Sequence, residues 1–416
     1  MIYLPFIYFF IWMIRSYRKF GISIGSYILS MVTLSSFCAI LIDANDLYVS
    51  HSCPKVELGF FSPILYLILM TASIFPFYKM GKLSIKNNIP IKVEKWLSYL
   101  IFFYFSIFLI VLLVSLTRIN EILFYESLRE VRNAQYTGEA ESFYNDLRGI
   151  PRYICAICSI LSPTSYIMLL VFGYMMAFSK KSIYLCIIAL VSSMTPLLIS
   201  INIADRSGYF YWMALAGFAV VTFLPHYPSR RKKILFILMG IVFVLAITYF
   251  MMVTISRFDE RADGTSGGLI MYTGQSYINF CRFFNTLNTP NSIRLFTPSL
   301  NSFVFHDGGY FYQASLVSSL NHTPIAVFPT FIGIIYSVCG PFVLLLFFIV
   351  YLRYANRISF MCRLCDLSFS QLCKLWTIGV IPVVGIITYF YITTDIPLLL
   401  WLCFVVLFRK LQNSYR

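Results

Sequence analysis

Arg206, Arg257, Arg261, Arg282 and Arg294 are the residues of this 416-residue chain whose type best suits chemistry. A guanidinium is a flat fork of donors that matches phosphate and carboxylate oxygens, which a lysine ammonium cannot do. Arg257 and Arg261 stand four apart and share a face wherever the chain is helical. Arg206 lies in the run Asp205-Arg206-Ser207-Gly208, between two apolar segments. A charge at that boundary is either a ligand contact or an interfacial anchor closed onto Asp205. Asp259, Glu260 and Asp263 alternate with Arg257 and Arg261, so local salt bridges compete with any anion for that pair. His306-Asp307 offers an imidazole and a carboxylate able to accept a hydroxyl proton near neutral pH, and His322 stands two residues before Pro324. The plain alternative for each histidine is a polar loop residue. Together these side chains suit an anionic, diphosphate-bearing ligand and a proton acceptor beside it.

The elements that must position them are membrane helices. With 59% hydrophobic and 12% charged residues, and a mean hydropathy of +0.78, the chain is too apolar for a soluble fold. A spanning helix needs about 20 apolar residues to cross a hydrocarbon layer of roughly 30 Å. Segments 21–42, 97–117, 183–203, 234–255 and 324–352 meet that length. Segments 60–77, 153–178, 209–224 and 375–392 are shorter or interrupted, and 2–14 and 396–408 are marginal. The expectation is an all-α integral membrane protein with about eleven transmembrane helices, within a range of ten to twelve, forming one polytopic domain over 1–416. The first apolar segment has no basic stretch before it and no small-residue cleavage site, so it reads as a retained helix.

Orientation follows from lysine and arginine in short loops. Placing 15–19, 79–95, 180–181, 230–233, 353–374 and 409–416 in the cytoplasm collects 21 of the 32 basic residues. Lys55 is then the one lysine outside, and Glu94 and Asp366 are the acids inside. The arginines named above all fall on the outer side. Because each basic cluster is a short membrane-flanking loop, the high pI does not imply nucleic-acid binding.

Three outer segments stand out: 43–59, 118–152 and 256–326. The second carries Glu126 and Arg129 three apart on an expected helix, which reads as a solvated, self-paired surface. The third is long enough to suggest work. Within it, Gly264-Thr265-Ser266-Gly267-Gly268 lacks the Gly-Lys-Ser/Thr ending of a phosphate-binding loop and reads as a turn. From Tyr277, apolar residues at 277, 280, 281, 284 and 287 fall opposite Asn279, Arg282 and Thr286, the pattern of an interfacial helix with an arginine on its polar face. No metal is expected. Cys155-x-x-Cys158 lies inside a span, and Cys362-x-x-Cys365 with Cys373 lacks a histidine for a tetrahedral site. Cys53 and Cys281 both fall outside and are a candidate pair.

With these features the chain resembles the O-antigen (oligosaccharide repeat-unit) polymerases of the Wzy type. The resemblance covers most of the length and rests on architecture: the span count, a moderate early outer loop, a dominant late one and arginines at the outer boundary. Its more specific parts are Asp205-Arg206-Ser207-Gly208 ahead of Tyr209 to Trp212, the Ser256-Arg257 start of the large loop, Tyr272-Thr273-Gly274-Gln275-Ser276, and Gly333, Tyr336 and Gly340.

The resemblance implies a GT-C-like bundle in the bacterial inner (cytoplasmic) membrane. It implies a cofactor-free glycosyltransferase that joins undecaprenyl-diphosphate-linked oligosaccharides at the periplasmic face. Arg206, Arg257 and Arg261 would bind diphosphate, with Arg282 assisting and Tyr272, Arg294 and His322 as further substrate contacts. Asp205, His306 or Asp307 would accept the proton. The partners are the lipid-linked glycans and membrane lipid, with a chain-length regulator protein as a candidate. The related O-antigen ligase stays open through His322, ahead of the helix that follows the large loop. A lipid-linked oligosaccharide flippase fits less well, since such transporters favour short outer loops and repeated halves. A sugar acyltransferase takes the remainder.

Overall fold

The computed structural model describes residues 1–50, 55, 57–86, 91–124, 149–179, 183–202, 207–258, 264–286 and 330–386. These residues are helical, with an isolated bridge between Ile85 and Leu367. The chain divides into two compact units, one of Met1–Ile85 with Arg261–Arg416, the other of Lys86–Glu260.

The first unit opens with α1 (Tyr3–Phe20), α2 (Ile24–Ala44), the short α3 (Leu47–Ser50) and α4 (Phe61–Met80). Local chemistry sets their ends. Gly21 stops α1 and Gly81 stops α4, both at positive φ, where a Cβ would be strained. Ser23 and Ser26 then cap α2 reciprocally: the Ser23 hydroxyl accepts from the Ser26 amide at 3.3 Å and the Ser26 hydroxyl accepts from the Ser23 amide at 2.8 Å.

The second unit holds α5 (Ile91–Phe124), α6 (Ile150–Leu161), a 3₁₀ turn (Ser162–Tyr166), α7 (Ile167–Phe178), α8 (Ile183–Ser192), α9 (Thr195–Asn202), α10 (Ser207–Phe223) and α11 (Ser229–Phe258). Its core is α7, where every residue from Ile167 to Ala177 is buried. The neighbouring helices are pinned to one another by side-chain bonds. Trp212 donates to Ser193 at 2.9 Å, Asn202 to Ser115 at 2.7 Å, and the Tyr104 and Thr164 hydroxyls meet at 2.8 Å. By contrast α11 leaves Phe236, Ile237, Val244, Leu245 and Met252 exposed, which suits a helix bathed in hydrocarbon.

The chain returns to the first unit with α12 (Gly264–Thr286), α13 (Phe331–Leu364) and α14 (Phe369–Gly385). The α12 helix lies along α2, where Ser35 donates to the carbonyl of Thr273 at 2.8 Å. Helix α13 breaks at Gly340 (φ 79, ψ 177), followed by Pro341, which has no amide hydrogen to give. Before the break Phe331, Ile332, Ile334, Ile335 and Ser337 are buried. After it Phe342, Leu345, Leu346, Ile349 and Val350 form an exposed apolar stripe at helical spacing.

Among the described residues, eight helices are long and apolar enough to cross a membrane: Ile24–Ala44, Phe61–Met80, Val93–Leu116, Ile150–Phe178, Ile183–Asn202, Ser207–His226, Ser229–Ile255 and Cys339–Leu364. Each overlaps a span expected from sequence. The marginal segment 2–14 falls within the helix α1, 375–392 overlaps the shorter apolar helix α14, and 396–408 lies outside the described residues.

Two local expectations are corrected. The glycine run from Gly264 is the start of α12 and not a turn, and Gly267 and Gly268 are buried within that helix. The basic stretch from Arg353 is not all loop, since α13 carries it to Leu364.

Candidate functional site

The best-defined candidate site lies at the C-terminal end of α12. Gln275, Asn279, Arg282 and Thr286 are spaced four, three and four apart, so they fall on one helix face. The Asn279 amide donates to Gln275 Oε1 at 3.3 Å, and the Thr286 hydroxyl donates to the Arg282 carbonyl at 2.8 Å. Sequence periodicity makes this the outward, polar face of an interfacial helix. The structure corrects that: Gln275, Asn279 and Arg282 are buried, Arg282 with 4% of its surface exposed. The opposite face is buried too, with Tyr277 ringed by Tyr66 at 4.8 Å and Tyr66 against Phe280 at 5.5 Å. Both faces are covered because α12 sits among α2, α4 and α13.

Residues distant in sequence gather around this end. Asn285 donates to the carbonyl of Glu57 at 2.9 Å, tying α12 to the segment ahead of α4. Phe284 meets the ring of Tyr336 on α13 at 5.7 Å. Tyr48 on α3 is buried, and Asp43, Asp46 and Arg282 all act on its hydroxyl. Burial pushes that hydroxyl up to about 12, with Asp43 adding to the rise and the positive Arg282 opposing it. Asp46 holds the turn between α2 and α3 with a positive φ of 48, a conformation that aspartate tolerates. Asp43 also faces Lys55 at 3.9 Å in a partly exposed pair, which adds little stability.

A buried guanidinium beside neutral amides can hold an oxyanion strongly, because little water screens it.

Tyr272 is half-buried on α12, ten residues before Arg282, which is about 15 Å along a helix and on another face. The two do not form one contact set. Arg257 lies on the last turn of α11 in the second unit. Asp205, Arg206, Arg261, Arg294, His306, Asp307 and His322 lie outside the described residues. Cys281 is a buried free thiol, and its candidate partner Cys53 lies outside the described residues. Among the described residues no three His, Cys, Asp or Glu side chains converge as metal ligands. Tyr48 carries no signal in the sequence, and Gln275 figures there only within the run from Tyr272 to Ser276. Tyr48 lies more than two hundred residues from Arg282, and nothing local marks it.

Comparison with protein-family models, with curated proteins and with solved structures finds no match in any of the three. The class that the fold itself defines is a multi-pass, all-helical membrane protein.

Proposed function

We propose that this protein polymerises lipid-diphosphate-linked oligosaccharide repeat units at the outer face of a bacterial inner membrane, on an eleven-span, GT-C-like scaffold. The observation that supports the reading most is the burial of Arg282, a ligand-binding arginine expected from sequence, at the end of α12 beside Tyr48. Burying a charged group costs free energy, a cost that function commonly explains.

In the reaction a sugar hydroxyl of one lipid-linked unit attacks the anomeric carbon of the other. The new C–O bond forms as the bond to the lipid diphosphate breaks, and the diphosphate leaves with the electron pair. Arg206, Arg257, Arg261 and Arg282 offset its growing charge. The hydroxyl proton passes to Asp205, His306 or Asp307. Tyr272, Arg294 and His322 hold the glycan or lipid. A chain-length regulator protein is a candidate partner.

The test is lipopolysaccharide banding from a deletion strain carrying wild-type, Arg206→Ala or Arg206→Lys plasmids. The reading expects core with a single repeat unit in the deletion, a ladder with wild type, and no ladder with either variant. Bare core with polymer left on the carrier lipid identifies a ligase instead. Bare core without polymer identifies a flippase, and an unchanged ladder removes the glycan reading altogether.

A further inference from the structure

Serines and threonines in the second unit follow a common habit. Ser115, Ser192, Ser193 and Thr222 each donate the hydroxyl to a carbonyl three or four residues earlier. That habit is how a hydroxyl becomes tolerable at membrane depth. Ser162 and Ser165 break it. Both are buried, and neither hydroxyl has a hydrogen-bond partner among the described residues.

The backbone accounts for their position. The span Ile150–Phe178 is interrupted near its middle by the 3₁₀ turn Ser162–Tyr166, where Pro163 supplies no amide hydrogen. Neighbours in the turn are occupied elsewhere. Thr164 donates to Leu161's carbonyl at 2.5 Å and meets Tyr104, and Tyr166 donates to the carbonyl of Gly208 at 3.2 Å. In a 3₁₀ helix residues three apart eclipse one another, so Ser162 and Ser165 project from one side, about 6 Å apart along the axis. Two hydrogen bonds of about 2.8 Å each, end to end, cover that distance.

We propose that Ser162 and Ser165 hold a bound water between them, at the break in the Ile150–Phe178 span. The occupant is water because the two oxygens are sealed from solvent, which shuts out a sugar or other polyol. No charged side chain belongs to the turn to balance a bare cation. Paired hydroxyls supply the mixed donors and acceptors that a buried water uses. This inference does not depend on the proposed reaction. It gives the second unit a hydrated joint within an otherwise apolar span.

A double-mutant cycle on the purified full chain tests it, using thermal midpoints of wild type, Ser162→Ala, Ser165→Ala and the double variant. A shared water couples the two sites. Each single change then lowers the midpoint by a few degrees, and the double lowers it no further than the worse single. If the hydroxyls are simply unpartnered, removing either leaves the midpoint unchanged or raises it, and that result overturns the proposal. Independent, additive losses overturn it as well. Should the double variant fail to fold, X-ray radiolytic footprinting of the wild-type protein decides: radiolysis of a bound water releases hydroxyl radical in place, which hydroxylates the buried Tyr166 ring next to Ser165, and an unmodified ring sinks the proposal.

Discussion

A Cβ on Gly274 would stand 2.4 Å from the carbonyl carbon of Cys38, so the backbones of α12 and α2 touch at this pair. The neighbour is helix backbone, which cannot swing aside as a side-chain tip can. Gly274→Ala is therefore expected to destabilise the first unit by about 1–3 kcal/mol through overpacking, and Gly274→Leu by more. Thermal unfolding of the purified protein measures both. An alanine variant as stable as wild type shows that the helices separate at no cost and removes the close approach.

Gly340 sits at φ 79 and ψ 177, a conformation essentially confined to glycine. Gly340→Ala should cost about 1–3 kcal/mol or straighten α13. A pair of spin labels on either side of the break distinguishes the outcomes, since straightening lengthens the distance between them. No change in either distance or stability contradicts the assignment.

The loops after α4 and α13 are clasped. Leu367's amide donates to the Ser84 carbonyl at 2.9 Å, and the Ser84 hydroxyl donates to Asp366. Asp366→Ala is expected to lower stability by about 1 kcal/mol, the worth of one hydrogen bond to a charged group at an exposed site. Leu367→Pro removes the amide donor and should cost more. Equal stability of the Asp366 and Leu367 variants with wild type discards the clasp.

Tyr48 gives a pH signature. Its hydroxyl ionises near 10 in an unfolded chain and at about 12 in the fold, so below pH 10 both states keep the proton. Between pH 10 and 12 the unfolded chain releases it first, and stability falls as pH rises, by up to about 2 kcal/mol. Tyr48→Phe should flatten that part of the alkaline slope. Denaturant titrations at pH 9 and pH 11.5 measure it, and identical slopes in both proteins refute the assignment.

At Arg282, lysine keeps the charge but not the fork. If the proposed polymerisation is the activity, Arg282→Lys is expected to reduce polymer formation by at least tenfold, close to the effect of Arg282→Ala. Normal ladders from the lysine variant leave Arg282 as a point charge with no bidentate contact.

The apolar runs were legible because one physical constraint, the thickness of the hydrocarbon layer, sets their length. Periodicity also placed Asn279, Arg282 and Thr286 on one face of a helix, as found. What periodicity could not say is which face is covered. Gln275, Asn279 and Arg282 have the pattern of a solvated side, yet α2, α4 and α13 surround them. The Gly264 run misled for a related reason. Glycine weakens an isolated helix, but Gly267 and Gly268 are buried within α12, and the tertiary setting outweighs propensity.

By itself, then, the sequence determined that this chain carries many apolar helices long enough to cross a membrane, and roughly where they lie. Those properties depend on local transfer energies that each residue carries wherever it lies. Tertiary structure alone decided that Arg282 is buried, that its charge acts on Tyr48, that α13 bends at Gly340, and that Ser162 and Ser165 are buried with no hydroxyl partner among the described residues. These depend on which distant segment arrives to cover a surface, and no local pattern encodes that.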